Sequence, residues 1–179
     1  MPRLPTSARA TTAPKWYLGV DPGTEGAASL IDGSSGVETI RLSTSDRDLW
    51  GWLAERRERI AFAMLEQIDP RPTMVFDHEL KQVCARILKS TCLLYGDYWR
   101  LRAMLVALGT VPWLSIPPKR WQQGLDIVPK SKAETARDWK NRLKQRAEQL
   151  FPAECVVLAT ADSLLLARYC YTRASDGKV

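Results

Sequence analysis

Three acidic side chains stand where the chain changes direction. Asp21 follows the β-prone run Trp16–Val20 and opens Asp21-Pro22-Gly23, a turn signal. Glu66 closes the dense apolar run that begins at Ile60, and Asp162 follows the short apolar stretch Val156–Leu158. Carboxylates brought from remote positions to one edge of a fold repel one another and need a cation. Hard oxygen donors of this kind select Mg²⁺ or Mn²⁺ over zinc. Zinc is further disfavoured by the single histidine and by Cys84, Cys92, Cys155 and Cys170, which form no closely spaced pair. Each acid also has a plain structural use, as turn former, strand end or helix cap. Asp46 and Asp77, at predicted helix starts, are read that way. His78 is read as exposed, with DNA contact as its alternative role.

The elements that must position these acids follow from periodicity. Trp16–Val20, Gly26–Ile31 and Gly36–Leu42 read as an antiparallel three-strand meander, its second turn carrying the hairpin dipeptide Asp32-Gly33. Asp46–Arg59 reads as an amphipathic helix, and Ile60–Glu66 as a strand buried on both faces. Residues 67–76 read as a Pro-containing loop. Apolar residues at Val83, Ile87, Leu94, Tyr98, Leu101, Leu105 and Leu108 then predict one long helix from about Asp77, with Gly109 as its stop. Val111–Ile116 is a strand, Lys119–Leu125 a short helix, and Ser131 with Glu134 a capping box for a helix running to Leu150. Val156–Leu158 reads as a short extended piece, with Asp162 opening a last helix to Tyr171. The order predicts an α/β domain: a mixed sheet of three antiparallel strands followed by parallel strands, with helices on both faces. The domain is expected over residues 15–173, between a basic tail (1–14) and a short C-terminal tail (174–179).

The charge is unevenly spread. The chain has 179 residues and a formal charge of +6; residues 1–15 carry +3, residues 130–146 carry +5, and the remainder carries −2. A clustered basic face suits a polyanion, most often nucleic acid, although a solvated helix face has the same composition. Arg137, Lys140 and Lys144 follow helical spacing, and with Lys119, Arg120, Lys130 and Lys132 they are candidate DNA contacts. Apolar residues make up 45%, which argues against disorder, and no apolar run approaches the ~20 residues of a membrane-spanning helix. The cysteines read as buried thiols of a reducing compartment.

Several segments resemble one family. Gly19-Val20-Asp21-Pro22-Gly23-Thr24-Glu25-Gly26 resembles the first-strand motif of the RuvC-type Holliday junction resolvases, in their phage and organellar branch. Ala63-Met64-Leu65-Glu66-Gln67 is similar to the strand carrying that family's catalytic Glu. Tyr95-Gly96 to Leu108-Gly109, then Ser115-Ile116-Pro117-Pro118-Lys119-Arg120-Trp121, resemble its helix, strand and "P-x-x-W" segment. Ala147–Pro152 and Thr160–Ala167 resemble its "A-x-x-L-F-P" and terminal helix segments. The resemblance covers residues 16–172 and rests on the order and spacing of the motifs together. It implies an RNase H-like fold, a homodimer and metal-dependent cleavage of branched DNA, the four-way junction. By position it implies Asp21, Glu66 and Asp162 as catalytic metal ligands. Two Mg²⁺ (or Mn²⁺) ions about 3.5–4 Å apart are then expected per site, with Asp21 bridging them. The family's fourth acid, three or four residues before the last, falls on Ala159 or Leu158, neither of which can bind a metal; Thr160 is the nearest polar substitute and Glu154 lies further off.

Tyr95, Tyr98, Trp99 and Arg102 exceed what one core stripe needs, which suits a dimer seam, with core or surface packing as the alternative. Three rival readings remain at this point: an actin-like phosphotransferase, for which 179 residues leave no room for the second domain, a non-catalytic junction-binding relative, and a fork or flap nuclease of the same fold. The cytoplasm or nucleoid of a bacterium or phage-infected cell is the expected location. An organelle is the alternative, from the Ser/Thr/Arg-rich start. No membrane partner is expected.

Overall fold

A computed structural model describes residues 15–178 except 24, 69–72, 78–81 and 87–88; for 73–77 and 82–86 only the backbone course is used. The basic tail, His78 and Thr24 lie outside the described residues.

Strand β1 (Trp16–Asp21) pairs antiparallel with β2 (Ala27–Ile31), which pairs antiparallel with β3 (Val37–Arg41). After α1 (Asp46–Arg56) and a 3₁₀ turn (Arg57–Arg59), β4 (Ile60–Glu66) returns parallel to β1. Strand β5 (Thr73–Asp77) and β6 (Gln82–Arg86) form a separate hairpin, followed by α2 (Lys89–Ala107). Strand β7 (Trp113–Ile116) lies parallel to β4, and α3 (Pro118–Gly124), α4 (Ala136–Leu150) and α5 (Leu158–Ser175) complete the chain. The main sheet has the order β3-β2-β1-β4-β7, a mixed α/β sheet of antiparallel and parallel strands, as expected.

Side-chain alternation along the central strands divides the interior into two cores. Leu18, Val20, Ala63 and Leu65 point to one face, where Leu49 and Leu53 of α1 and Tyr98, Leu101 and Leu105 of α2 cover them. Tyr17, Phe62 and Met64 point to the other, against Leu164, Leu165 and Leu166 of α5 and Leu143 and Ala147 of α4. By the same alternation, Asp21 and Glu66 belong to the α5 face.

Helix α5 comes unusually close to the sheet at Gly19. A Cβ there would lie 2.3 Å from the Ala167 backbone nitrogen and 2.4 Å from the Ser163 carbonyl oxygen, so only glycine fits. A buried hydroxyl pair, Ser29 Oγ to Ser163 Oγ at 2.7 Å, fixes the rotation of the helix on the sheet, and Ser163 Oγ also donates to the Thr160 carbonyl. The Asp-Pro-Gly turn after β1 needs its glycine for another reason: Gly23 has φ +124°, outside the range of ordinary L residues.

The structure corrects several sequence expectations. The long helix begins at Lys89 rather than Asp77, and the stretch before it, read as loop and helix, is the β5–β6 hairpin. Val83, Ile87 and Leu94 keep helical spacings of four and seven, but Met74-Val75-Phe76 and Val83 are equally good strand formers. Tertiary pairing in the register Thr73↔Arg86 decides the matter. Asp77 therefore ends a strand, whereas Asp46 does begin α1, as expected. Ser131 and Glu134 do bond each other through backbone amides, but this makes a turn upstream. Helix α4 starts at Ala136, capped four residues after Ser131 by Thr135, whose Oγ1 accepts from the Asp138 amide at 3.1 Å. Val156–Leu158 forms no strand. Helix α5 starts at Leu158, so Asp162 lies one turn inside it rather than at its opening. The helix also continues through Arg173, the expected domain end, to Ser175. Of the described cysteines only Cys170 is buried, and Cys92 and Cys155 are exposed, on the solvent side of α2 and in the α4–α5 loop. Among the described residues no helix is long and apolar enough to cross a membrane.

Candidate active site

Asp21 and Glu66 close adjacent parallel strands. The β1–β4 register runs to Val20↔Leu65, and the two acids are the next residues on each strand, facing α5. Asp162 reaches the same space from the second turn of α5. Its side chain is only 7% exposed. Burial, then the charges of Glu66 and Asp162, hold the Asp21 carboxyl well above the usual carboxylate range. Burial and Asp162 raise Glu66 to about 7, against the opposing pull of a hydrogen bond from Trp121. These are the signs of an acidic cluster without enough positive charge.

Two groups already serve the cluster. The fully buried Trp121 donates its indole N–H to Glu66 Oε2 at 2.8 Å, which orients that carboxylate. Trp121 ends the Pro118-Lys119-Arg120-Trp121 segment at the start of α3, and the sequence offered the motif without this role. Lys140 of α4 forms an ion pair with Asp162 Oδ2. Burial alone would lower the lysine's pKa, but Asp162 above all, with Asp21 and Glu66, raises it instead. The other oxygen, Asp162 Oδ1, is buried with no hydrogen-bond partner among the described residues.

The donor chemistry fits a hard divalent cation: three carboxylates, an orphaned buried oxygen and raised acid pKa values. Closure is incomplete. Among the described residues no group of three or more His, Cys, Asp or Glu side chains stands close enough to hold a metal as placed. The substitutes considered for a fourth acid are otherwise occupied or remote. Thr160 Oγ1 accepts from the Val157 amide at 3.3 Å and so caps α5, while Glu154 is exposed in the preceding loop. An open cavity of about 560 Å³ leads to the cluster. Its lining includes Asp21, Asp97, Lys140, Leu158 and Ala159.

Lys119 and Arg120 are exposed on α3, and Lys130 and Lys132 in the loop before α4. Arg137 is exposed on α4, and Lys144 is partly spent on Glu148 at 3.0 Å. Lys140 does not share their outward role, because its ammonium is turned to Asp162. The sequence held a signal for this. Position 140 stands three residues before Leu143 and seven before Ala147, the buried residues of α4, so it borders the inward face of the helix. On α2, Trp99 is 47% exposed and its ring lies under the Arg102 guanidinium at 4.8 Å. Tyr95 is half-buried against both neighbouring rings. Tyr98 is a core residue, not a surface one: it is buried, and its hydroxyl meets Ser115 Oγ at 2.9 Å.

No family model matches the sequence, and no curated protein matches it. Solved structures do. The chain is similar in fold to RuvC. The structure of T. thermophilus RuvC in complex with a Holliday junction substrate is 18% identical, with a TM-score of 0.49, covering 92% of this chain and 97% of that one. The Thermus thermophilus RuvC structure is 13% identical, with a TM-score of 0.48, covering 90% and 96%.

Proposed function

We propose that this chain is a divalent-metal-dependent endonuclease that resolves four-way DNA junctions by paired nicks as a homodimer. The observation that carries the proposal is the cluster itself. Asp21 lines an open cavity, Glu66 and Asp162 lie close enough behind it for their charges to act on it and on each other, and the two strand-borne acids hold their protons far more tightly than free carboxylates do. Such a cluster is costly to fold around unless a cation uses it.

Asp21, Glu66 and Asp162 would hold Mg²⁺ or Mn²⁺, which when bound polarises a phosphate and lowers the pKa of a water molecule. The protein's own part is placement and charge. Trp121 orients Glu66, the Ser29–Ser163 pair sets the rotation of α5 and hence of Asp162, and the α2–α4 walls shape the cavity. Exposed Lys119, Arg120, Lys130, Lys132 and Arg137 supply the neutralising charge for DNA backbones on the α3–α4 side. The exposed face of α2, with Cys92, Trp99, Ala103 and Val106 at helical spacing, supplies the dimer seam.

The test is cleavage of a mobile four-way junction with Mg²⁺, beside linear duplex of the same sequence. Selective, paired nicking of the junction is expected; equal cutting of both overturns the reading. A second reading, a junction binder that does not cut, is favoured by the Lys140–Asp162 ion pair and by Leu158 and Ala159 in the cavity wall. Junction binding without nicking in either Mg²⁺ or Mn²⁺ would establish it.

A further inference from the structure

We propose that Lys140 is a resident cation of this site, standing in for a second metal ion, so that each chain binds one divalent ion rather than two. The inference deepens the metal-site reading above and rests on it.

Three observations carry it. Lys140 reaches the cluster from α4 and pairs with Asp162, whose side chain is 7% exposed, so the ammonium sits where a cation would otherwise be needed. The cavity wall beside it is formed by Leu158 and Ala159, which offer no ligand, and the nearby Thr160 hydroxyl is committed to the start of α5. Asp162 Oδ1 remains buried and unpartnered among the described residues, which leaves one ligand position open on the same carboxylate.

Charge selects the stoichiometry. Three carboxylates and one ammonium leave a net charge of −2, which one divalent ion neutralises. A second divalent ion would have to sit against the fixed ammonium, and the other acids lining the cavity, Asp97 and Glu25, are already paired with Arg100 at 3.2 Å and Arg41 at 3.0 Å. At separations of a few ångströms that repulsion is large even with an effective dielectric constant near 20. The lysine thus does the work of charge compensation on the Asp162 side, and the metal is left to Asp21, Glu66 and the free oxygen of Asp162.

The experiment counts Mn²⁺ bound to the full chain by equilibrium dialysis and electron paramagnetic resonance, with junction cleavage measured separately. Wild type is expected to bind one Mn²⁺ per chain. Lys140→Met removes the competing charge and should tighten that ion by about tenfold or more. Lys140→Glu adds a fourth carboxylate and should admit a second ion. Two ions of similar affinity in the wild type, or unchanged affinity in Lys140→Met, overturn the inference. Because Lys140→Met needs no new charge in the fold, it keeps the test decisive if Lys140→Glu does not fold. One bound ion without junction cleavage would sink the nuclease proposal and leave this inference standing; no bound ion would sink both.

Discussion

At the scale of single residues, the acids of the cluster differ in what holds them. Asp21 has no described hydrogen-bond partner of its own and lines the cavity, so it is the residue most dependent on a bound cation. Asp21→Asn is expected to reduce junction cleavage by at least ~10³-fold while leaving junction binding intact, because the loss falls on charge stabilisation at the reacting phosphate. Gel-shift and cleavage assays on the same junction separate the two effects. Glu66 provides a pH signature. Its folded pKa, near 7, lies above the ordinary value of 4.5, so the folded state holds a proton that the unfolded chain has lost. The resulting stabilisation is fully present below about pH 4.5 and is lost as the pH rises toward 7. In metal-free protein the melting temperature should therefore fall over that interval, and Glu66→Gln should flatten the fall. Saturating Mg²⁺ should flatten it as well, by giving the ionised acids a counter-charge. A slope identical in wild type and Glu66→Gln would remove Glu66 as its source.

At the scale of elements, the docking of α5 on β1 decides whether Asp162 reaches the site. The contact passes through Gly19, where a methyl group would meet backbone atoms of α5 at 2.3–2.4 Å. Backbone cannot step aside as a flexible side chain can. Gly19→Ala is expected to cost about 3 kcal/mol of stability, at the upper end of overpacking penalties, and to lower metal affinity in whatever fraction folds. Denaturant unfolding with and without Mn²⁺ measures both. Helix α4 divides its cations between two tasks. Lys140 turns inward, whereas Arg137 faces solvent and Lys144 lies at a half-buried position. Charge reversal at Arg137 and Lys144 should weaken junction binding and reduce the slope of log K against log salt by about 1.8, the value for two phosphate contacts. An unchanged slope would remove this face of α4 from the DNA interface.

At the scale of the whole molecule, one face of α2 remains uncovered among the described residues. Trp99 and Val106 are 47% and 59% exposed on a helix whose opposite side is built into the core through Leu101 and Leu105. The proposed homodimer covers this face. Trp99→Glu should shift the protein from dimer to monomer in sedimentation velocity while leaving its far-ultraviolet circular dichroism unchanged. A wild-type chain that sediments as a monomer throughout the micromolar range would reject the seam. The overall charge of +6 also acquires a location in three dimensions. Asp21 and Glu66 lie at the ends of the central strands and Asp162 on α5, and most of the described exposed cations proposed to meet DNA lie on α3, α4 and the loop between them.

Much of this was legible in the chain itself, and the limit of legibility has a physical cause. The β-prone run Trp16–Val20 and the apolar run Ile60–Glu66 are local properties, so the sequence alone set Asp21 and Glu66 at strand ends, and the register Val20↔Leu65 then put both on one face. The turn glycine, the α1 helix and the apolar stripe of α4 are local in the same sense. The β5–β6 hairpin was not legible, because a seven-residue spacing of apolar side chains suits a helix and two paired strands alike, and only pairing across the chain separates them. Nor was the inward turn of Lys140 assigned, although its spacing from Leu143 and Ala147 could have suggested it. An ammonium at the border of an apolar face turns inward when a carboxylate from another element meets it, and that carboxylate, Asp162, is brought there by α5 settling on Gly19. The sequence by itself determined which side chains could do the chemistry and the faces they leave from. Tertiary packing decided which of them meet, because burial of charge is resolved between elements and not along one.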